Sequence, residues 1–312
     1  EVLRGPQGTL FGRNTTGGAI HFISRKPSET LRVKAEAGYG NYNAWNGKIV
    51  VDPGSIMGIA TSFSYSHRQR NGVVDNILQP DDAKDPGSRK SDSFRAAARV
   101  ELGGTGSIQY IFDWSKITGS PINFQLTNVA DGTPRSLSIG GQPLVVTQQA
   151  PVKQYLAGAT FAQAACAALA APTRVWREEV CNDISSTSMD QIWGHNLQAE
   201  NDFGPFKAKL TAGYRVWHND SNTDLDGMGA FSGPAFTNAS LFNGYPSALL
   251  QNLGFPKTSS DFLAATPVPR ITQNLFDTQN ARRHKQFSTE LEFSGDTDNL
   301  DWVVGGFYFW EK

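Results

Sequence analysis

The glycine spacing near the start of the chain is the first pattern that could support chemistry. Gly12 and Gly17 are separated by four residues, as the glycines of a phosphate-binding P-loop are. That loop needs a lysine immediately after the second glycine, whereas this chain has Gly18 there, followed by Ala19. The glycines therefore predict no nucleotide site.

A second pattern imitates a calcium-binding loop. Asn222, Asp224, Asp226 and Gly227 repeat the opening of an EF-hand loop. However, Gly233 stands where a bidentate glutamate would complete the calcium ligands. We interpret the four residues as polar loop residues and predict no metal site.

Catalytic constellations are also missing from the sequence. It contains no HExxH pair, no GxSxG elbow and no Cys/His cluster, and no carboxylate pair stands out among the many acids. We therefore expect a protein that is not an enzyme and that carries no cofactor. The histidines are scattered along the chain, at His21, His67, His195, His218 and His284.

The two cysteines of the chain, Cys166 and Cys181, lie in a loop-like stretch. A local disulfide in an oxidising compartment is one interpretation, and two unpaired buried thiols are the other. Neither interpretation predicts a metal centre, because no histidine or second cysteine pair has the spacing of zinc ligands.

Composition narrows the class of protein. The 28 Lys and Arg balance the 29 Asp and Glu, whereas a nucleic-acid-binding protein would normally be distinctly basic. No stretch approaches ~20 strongly apolar residues, so we expect no transmembrane helix, and the Ala-rich stretch 156–171 is predicted to form a helix within a loop. Because residue 1 is Glu and the last residues look like a strand, we expect an internal fragment that starts after any signal peptide.

Alternation of apolar and polar residues indicates the architecture. Phe94, Ala96 and Ala98 alternate with Arg95 and Arg99, and later stretches repeat this pattern. The alternation predicts nine strands, at about 30–39, 44–51, 56–68, 92–102, 107–118, 191–203, 206–218, 284–294 and 300–312.

Short and long connections alternate between these strands. Tight turns are predicted at 51–55, 103–106, 204–205 and 295–299, and long loops at about 69–91, 119–190 and 219–283. This asymmetry is typical of outer-membrane barrels, whereas such long loops are unusual in a compact soluble sandwich. We predict an all-β, transmembrane antiparallel barrel that continues beyond Lys312, since nine strands would leave unpaired backbone groups in lipid.

Aromatic residues near predicted strand ends suit a membrane interface. Trp114, Trp217 and Trp310 are predicted to belong to an aromatic girdle, where amphipathic rings prefer to lie. Contact with ligand rings, from a loop or from the barrel lumen, is the alternative for some of them.

The opening 27 residues resemble the end of the plug domain of TonB-dependent outer-membrane receptors of the siderophore type. The resemblance implies that residues 1–27 end a plug and that residues 28–312 begin a barrel of 22 strands. Phe11 and His21 depart from the pattern, because the family often has Tyr and Asn there. The residues that match the plug motif are Arg4, Gly5, Pro6, Gly8, Gly12, Gly17 and Gly18.

The resemblance also implies an ion pair between plug and barrel. Arg4 occupies the position of a plug arginine that typically meets inward glutamates, and Glu290 and Glu292 have the required parity on their strand. The stretch around Glu290 resembles the family more closely. In the alternative interpretation, these charges merely solvate a wet lumen.

The function implied by the resemblance is energised uptake of a scarce solute across the outer membrane. The expected ligand is a ferric siderophore, and the expected partners are outer-membrane lipid and the TonB–ExbB–ExbD complex, which would pull on a segment upstream of Glu1. Cobalamin, heme, saccharides and aromatic compounds are alternative solutes. A passive porin and a secreted β-rich adhesin or enzyme are the rival classes.

Overall fold

The structure is a computed structural model, and it describes most of the chain outside the longest loops. The described residues are 2–6, 17–20, 23–78, 84–125, 127, 134–139, 142–147, 160–161, 164–169, 173–182, 184, 186–225, 231–232, 272–273 and 277–312.

Strands make up nearly all the regular structure of these residues. One short helix, α1, spans Ala164–Leu169 within the Ala-rich stretch where a loop helix was predicted. No helix among the described residues combines the length and the apolar character that crossing a membrane requires. The strands are β1 (Val2–Arg4), β2 (Gly18–Ile20), β3 (Arg32–Gly40), β4 (Ala44–Ile56), β5 (Ile59–Arg70), β6 (Asp75–Asn76), β7 (Arg89–Leu102), β8 (Gly106–Gly119), β9 (Pro134–Ile139), β10 (Gln142–Thr147), β11 (Thr160–Phe161), β12 (Glu179–Val180), β13 (Thr187–Asp202), β14 (Lys207–Asp224), β15 (Phe231–Ser232), β16 (Thr272–Gln273), β17 (Asp277–Thr297) and β18 (Leu300–Glu311).

Nine long strands form a single antiparallel sheet, in the order β18-β17-β14-β13-β8-β7-β5-β4-β3. Neighbours in the sheet are also neighbours along the chain, apart from the short strands in the loops, so the topology is a simple meander. These strands are the nine that alternation predicted, and the all-β antiparallel prediction is confirmed. Three strands run well beyond their predicted bounds, namely β13, β14 and β17.

The sheet has an apolar outer face and a polar face that we call lumenal. Large apolar side chains stay exposed on the outer face: Phe63 is 43% exposed, Ile108 40% and Leu291 43%. On β7 this belt runs from Phe94 to Leu102, about 27 Å along the strand at ~3.4 Å per residue. A strand tilt of about 40° reduces this to roughly 21 Å of height, close to the apolar band of an outer-membrane barrel.

Polar side chains border the belt at the end that carries the long loops. His67, Asp92, Lys116 and His218 occupy one row of cross-strand partners on the outer face. Within this row the Asp92 carboxylate lies 2.7 Å from His67 Nδ1 and accepts a hydrogen bond of 2.6 Å from Tyr65. The row therefore marks the edge of the belt on the side predicted to be extracellular.

The predicted turn at residues 51–55 is wrong. Strand β4 continues to Ile56, and its register against β5 shifts between Val51 and Gly54, which is a β-bulge. Gly54 takes a φ of +99°, and a bulge also tolerates Pro53, which has no N–H to donate. The actual turn is Met57–Gly58, where both residues have positive φ, as a two-residue hairpin connection requires.

Strand β14 corrects two further predictions. Asn222 and Asp224 lie within this strand and not in a loop; Asp226, Gly227 and Gly233 lie outside the described residues. Trp217 follows outward Val216 directly, so it lies on the lumenal face with Arg215 and not in an outer girdle. Trp114 and Trp310 lie on the outer face.

Candidate functional site

The plug-motif residues that the structure describes form a small hairpin. β1 pairs with β2 in antiparallel register, which places Arg4 opposite Gly18. A Cβ at Gly18 would lie 2.5 Å from the carbonyl oxygen of Leu3, so only glycine permits this approach of the two strands. Gly5, with a φ of +82°, then turns the chain away, toward Pro6. Gly8 and Gly12 lie outside the described residues, and Gly17 is exposed just before β2.

The segment of residues 23–31, which we call the junction segment, connects this hairpin region to β3. Its Arg25 donates a hydrogen bond of 2.6 Å from Nη2 to Oδ2 of Asp52, whose side chain is fully buried. A buried carboxylate is costly without a partner, and the guanidinium supplies both the counter-charge and the donor. Arg25 thus holds the junction segment against β4 at the bulge.

A backbone contact supports the same attachment. The N–H of Ser55 donates to the carbonyl oxygen of Glu29 at 2.9 Å. A Cβ at Gly54 would lie 3.1 Å from that same oxygen, so the bulge glycine leaves room for the close approach. The bulge that interrupts β4 is therefore also the docking point of the junction segment.

The lower lumen, meaning the half nearer the short turns, is lined by paired charges. Ser107 donates a hydrogen bond of 3.1 Å to Glu200, and Arg99 and Lys26 place their nitrogen atoms 3.7 and 4.0 Å from the same Oε1 atom. Lys26 belongs to the junction segment, so this carboxylate connects that segment to the barrel strands.

A cavity of about 650 Å³ lies between the junction segment and the lumenal face. Its lining includes Ile23 and Ser24 on one side and Arg95 on the other. Asp113 and Arg215, which also line it, form an ion pair in which Nη2 lies 3.2 Å from both carboxylate oxygens. The cavity is thus polar and bounded by charges that mostly have partners in the protein.

Glu290 and Glu292 lie on the lumenal face of β17. Thr211 is the cross-strand partner of Glu290, and Lys209 lies opposite both Glu292 and Glu200 on its two sides. Lys209 therefore supplies a cation between two acidic side chains. The ion pair of Arg4 with Glu290 or Glu292 stays a prediction.

At the upper end of the lumen, Asp190 is held by two donors. Trp217 Nε1 donates to its Oδ1 at 2.8 Å, and Asn219 Nδ2 donates to the same atom at 3.0 Å. The two donors come from the strand next to that of Asp190, which ties β13 to β14 where the long loops begin. Trp217 therefore lies in the lumen and bonds to Asp190, and it does not lie at the membrane interface.

Above the strands, two loops join into what we call the loop module. β6 and β12 pair in parallel, and the side chain of Asn76 exchanges hydrogen bonds with the backbone of Asn182 at 2.9 and 3.1 Å. A disulfide joins Cys166 to Cys181. Val74 and both cysteines are at most 3% exposed, so the module has a small core of its own.

Sequence reasoning missed the Arg25–Asp52 contact and the Trp217–Asp190 contact. Both join residues 27 positions apart, and nothing in their local pattern distinguishes them from other charged or aromatic residues. In the part of the chain that the structure describes, no group of three or more His, Cys, Asp or Glu is arranged to hold a metal ion. The lumenal face instead carries hydrogen-bonding side chains and ion pairs.

Comparison with known sequences gives short, partial matches to receptors. No family model matches the chain. The pesticin receptor of Yersinia enterocolitica is 40% identical over 48 residues, which are 15% of this chain and 7% of that receptor. The ferric-pyoverdine M114 receptor PbuA of Pseudomonas sp. strain M114 is 26% identical over 133 residues, 43% of this chain and 15% of that receptor.

Comparison with solved structures covers nearly the whole chain. The open form of the ferric-catecholate import receptor Fiu from Escherichia coli K12 superposes with a TM-score of 0.58 at 12% identity, over 99% of this chain and 38% of that one. The ferric yersiniabactin uptake receptor FyuA from Yersinia pestis gives 0.50 at 10% identity, over 100% of this chain and 47% of that one. The chain spans less than half the length of each of these receptors. The chain therefore has the fold of the corresponding part of these β-barrel receptors.

Proposed function

We propose that this chain is part of a receptor that takes up a ferric siderophore with energy from the TonB–ExbB–ExbD complex. The observation that carries the proposal is the junction segment, which runs along the lumenal face and is tied to it through Arg25–Asp52 and Lys26–Glu200. A passive porin would share the strands, but it would not have an N-terminal plug whose end is tied to the barrel wall. The names of the similar receptors, which mention ferric catecholate and ferric pyoverdine, support iron chelates as the cargo.

In this proposal, residues 1–27 form the end of a plug and residues 28–312 form the first part of a barrel. Further strands would complete the barrel, which would have about 22 strands in all, as large plugged barrels do. Ligand would bind from outside, between the loops and the plug. Pulling on a segment upstream of Glu1 would then rearrange the plug, while the barrel wall stays in place. No covalent bond changes during this cycle.

Uptake by cells tests the proposal directly. The full-length receptor would be expressed in a strain that lacks its own siderophore receptors, and cells would be supplied with ⁵⁵Fe bound to a tricatecholate or to a trihydroxamate. We expect iron to accumulate with at least one chelate, and accumulation to cease when TonB is deleted. Uptake that persists without TonB would instead indicate a porin. If neither chelate is taken up but cobalamin, heme or a saccharide is, the cargo assignment is wrong.

A further inference from the structure

We infer that three arginines at the upper end of the lumenal face, Arg68, Arg70 and Arg89, form a site for a ferric chelate that carries net negative charge. We call them the mouth cluster. The inference rests on the proposed function and narrows it, since it specifies the charge of the cargo and the barrel side chains that select it.

The sheet register brings the three guanidinium groups together. Arg68 and Arg70 are two residues apart on β5 and therefore share a face, and Arg70 lies directly opposite Arg89 on β7. Like charges directly opposite one another destabilise a strand pair. This arrangement is therefore unfavourable for the empty barrel and becomes favourable when an anion lies between the side chains.

No carboxylate neutralises the mouth cluster within the described residues. Each of the three arginines is exposed, and none has a described carboxylate oxygen within the 4.0 Å of an ion pair. Asp190 is a lumenal carboxylate in the same row of partners as Arg68, but three strands away, about 14 Å at ~4.8 Å per strand. Its Oδ1 already accepts hydrogen bonds from Trp217 and Asn219.

The mouth cluster also lines a cavity of suitable size. The cavity has a volume of about 530 Å³, and Asn46, Ser91, Tyr39 and Trp45 complete its polar and aromatic lining. Pockets for small ligands fall in this range, with a few polar groups that fix orientation. Asn46 and Ser91 both lie opposite Arg68 on its two neighbouring strands, so they offer neutral hydrogen-bonding groups beside the cations.

Arginine suits this ligand class for geometric reasons. Its planar fork donates two parallel hydrogen bonds to paired oxygens, as in a carboxylate, and it is weakly hydrated compared with an ammonium group. A ferric tricatecholate carries three negative charges and presents paired oxygens around the metal, whereas a ferric trihydroxamate is neutral. The mouth cluster therefore favours the first chelate over the second.

Binding to the purified full-length receptor tests the inference, with ferric tricatecholate and ferric trihydroxamate as the two probes. The test variant carries Arg68→Gln, Arg70→Gln and Arg89→Gln together. The control variant carries Lys90→Gln, Lys116→Gln and Arg283→Gln, which removes the same charge from the outer face at a similar height. Heat-dependent gel mobility of both variants verifies that the barrel is folded.

We expect the test variant to bind the tricatecholate at least about tenfold more weakly, because several charge-assisted hydrogen bonds are lost, while the control variant binds as the parent does. Affinity of the parent for the tricatecholate should also fall as salt rises from roughly 50 to 500 mM, because added ions screen the attraction between the arginines and the anion. Equal loss in both variants, or no loss in either, would overturn the inference.

Binding of the trihydroxamate separates this inference from the proposed function. A receptor that binds both chelates equally, with no effect of the mouth cluster, remains a siderophore receptor, and only the charge selection is wrong. A receptor that binds neither chelate contradicts the proposed function itself, and the inference falls with it.

Discussion

The upper and lower halves of the lumenal face use similar residues in different ways. In the lower half, Arg25, Arg99 and Arg215 each have a carboxylate partner, and the contact of Arg25 attaches the junction segment to β4. In the upper half, Arg68 and Arg70 have no such partner among the described residues. Arginine alone therefore does not identify a binding site; the presence or absence of a nearby carboxylate distinguishes the two roles.

The difference has a physical basis. A cation that is paired within the protein stabilises the fold but has little attraction left for a ligand, whereas an unpaired, solvated cation at the entrance attracts anions over a Debye length of about 8 Å at physiological salt. Exposed pairs contribute little stability, so the barrel loses little because the mouth cluster lacks carboxylate partners. The repulsion between Arg70 and Arg89 is the destabilising contribution that remains in the empty barrel.

The contrast between the two halves holds only if the lumenal face of the sheet is assigned correctly. Two adjacent residues of β14 test that assignment. Ala212 faces outward in the belt, whereas Thr211 faces the lumen and lines its cavity. We expect Ala212→Lys to destabilise the barrel by about 2–4 kcal/mol, because a lysine near the bilayer midplane is poorly solvated. Thr211→Lys lies opposite Glu290 and should cost less than about 1 kcal/mol. Denaturation in lipid vesicles measures both, and equal effects would contradict the assignment.

The disulfide of the loop module should stabilise that module and leave the barrel unaffected. Replacing Cys166 and Cys181 by Ser together should destabilise the module by about 3 kcal/mol, since the bond closes a loop of 15 residues. The effect should be local, so limited proteolysis should cleave residues 160–186 faster while the barrel keeps its heat-dependent gel mobility. Non-reduced peptide mapping must first detect the linked pair; two free thiols in the mature protein would refute this account of the module.

Removing a paired arginine in the lower half should lower the stability of the barrel more than removing an unpaired arginine of the mouth cluster. Arg25→Met would leave the fully buried Asp52 without its cation, and we expect a loss of roughly 1–3 kcal/mol, less than for a fully buried pair because Arg25 itself is 41% exposed. Arg70→Met is the matched control at the mouth, expected to be neutral or slightly stabilising. Denaturation in the same vesicles measures the free energy of unfolding of both variants. A larger loss of stability for Arg70→Met than for Arg25→Met would contradict the distinction between paired and unpaired arginines.

The smallest effect is expected for an exposed pair on the lumenal face. Lys34 and Glu36 lie 2.6 Å apart on β3, yet both side chains are about half exposed or more. We expect Lys34→Met to change stability by less than about 0.5 kcal/mol, since such pairs are screened by water and salt. A loss comparable to that of Arg25→Met would show that pairing matters regardless of burial.

Much of the fold could be predicted from the sequence, because strand alternation is a local property. The alternation in Phe94–Leu102 and Ala208–Val216 shows which face each residue occupies. The turns predicted at 103–106 and 204–205 lie at 103–105 and 203–206, within one residue of the predicted bounds. The turn at 51–55 was mispredicted because Pro and Gly favour a bulge as readily as a turn, and only the pairing of β4 with β5 separates the two cases.

The candidate site could be predicted only in part. The parity of Glu290 and Glu292 follows from the sequence, whereas the contact between Arg25 and Asp52 needs the path of the junction segment. The mouth cluster was missed because Arg70 and Arg89 are opposite one another only after the register of β5 and β7 is known. A loop separates the two strands, so local pattern cannot set that register.

Accessibility of single thiols tests the contrast between the two halves most directly. The two native cysteines are joined to each other, so an introduced thiol is the reactive one within the described chain. Ser91→Cys would lie in the upper cavity, and Ser107→Cys in the lower lumen, where Ser107 is 3% exposed. A membrane-impermeant maleimide would be applied to intact cells that express each full-length variant, with and without ferric tricatecholate. We expect rapid labelling at residue 91 that the chelate suppresses, and no labelling at residue 107; equal labelling at both positions, unaffected by the chelate, would contradict an open anion-binding mouth above a closed lower lumen.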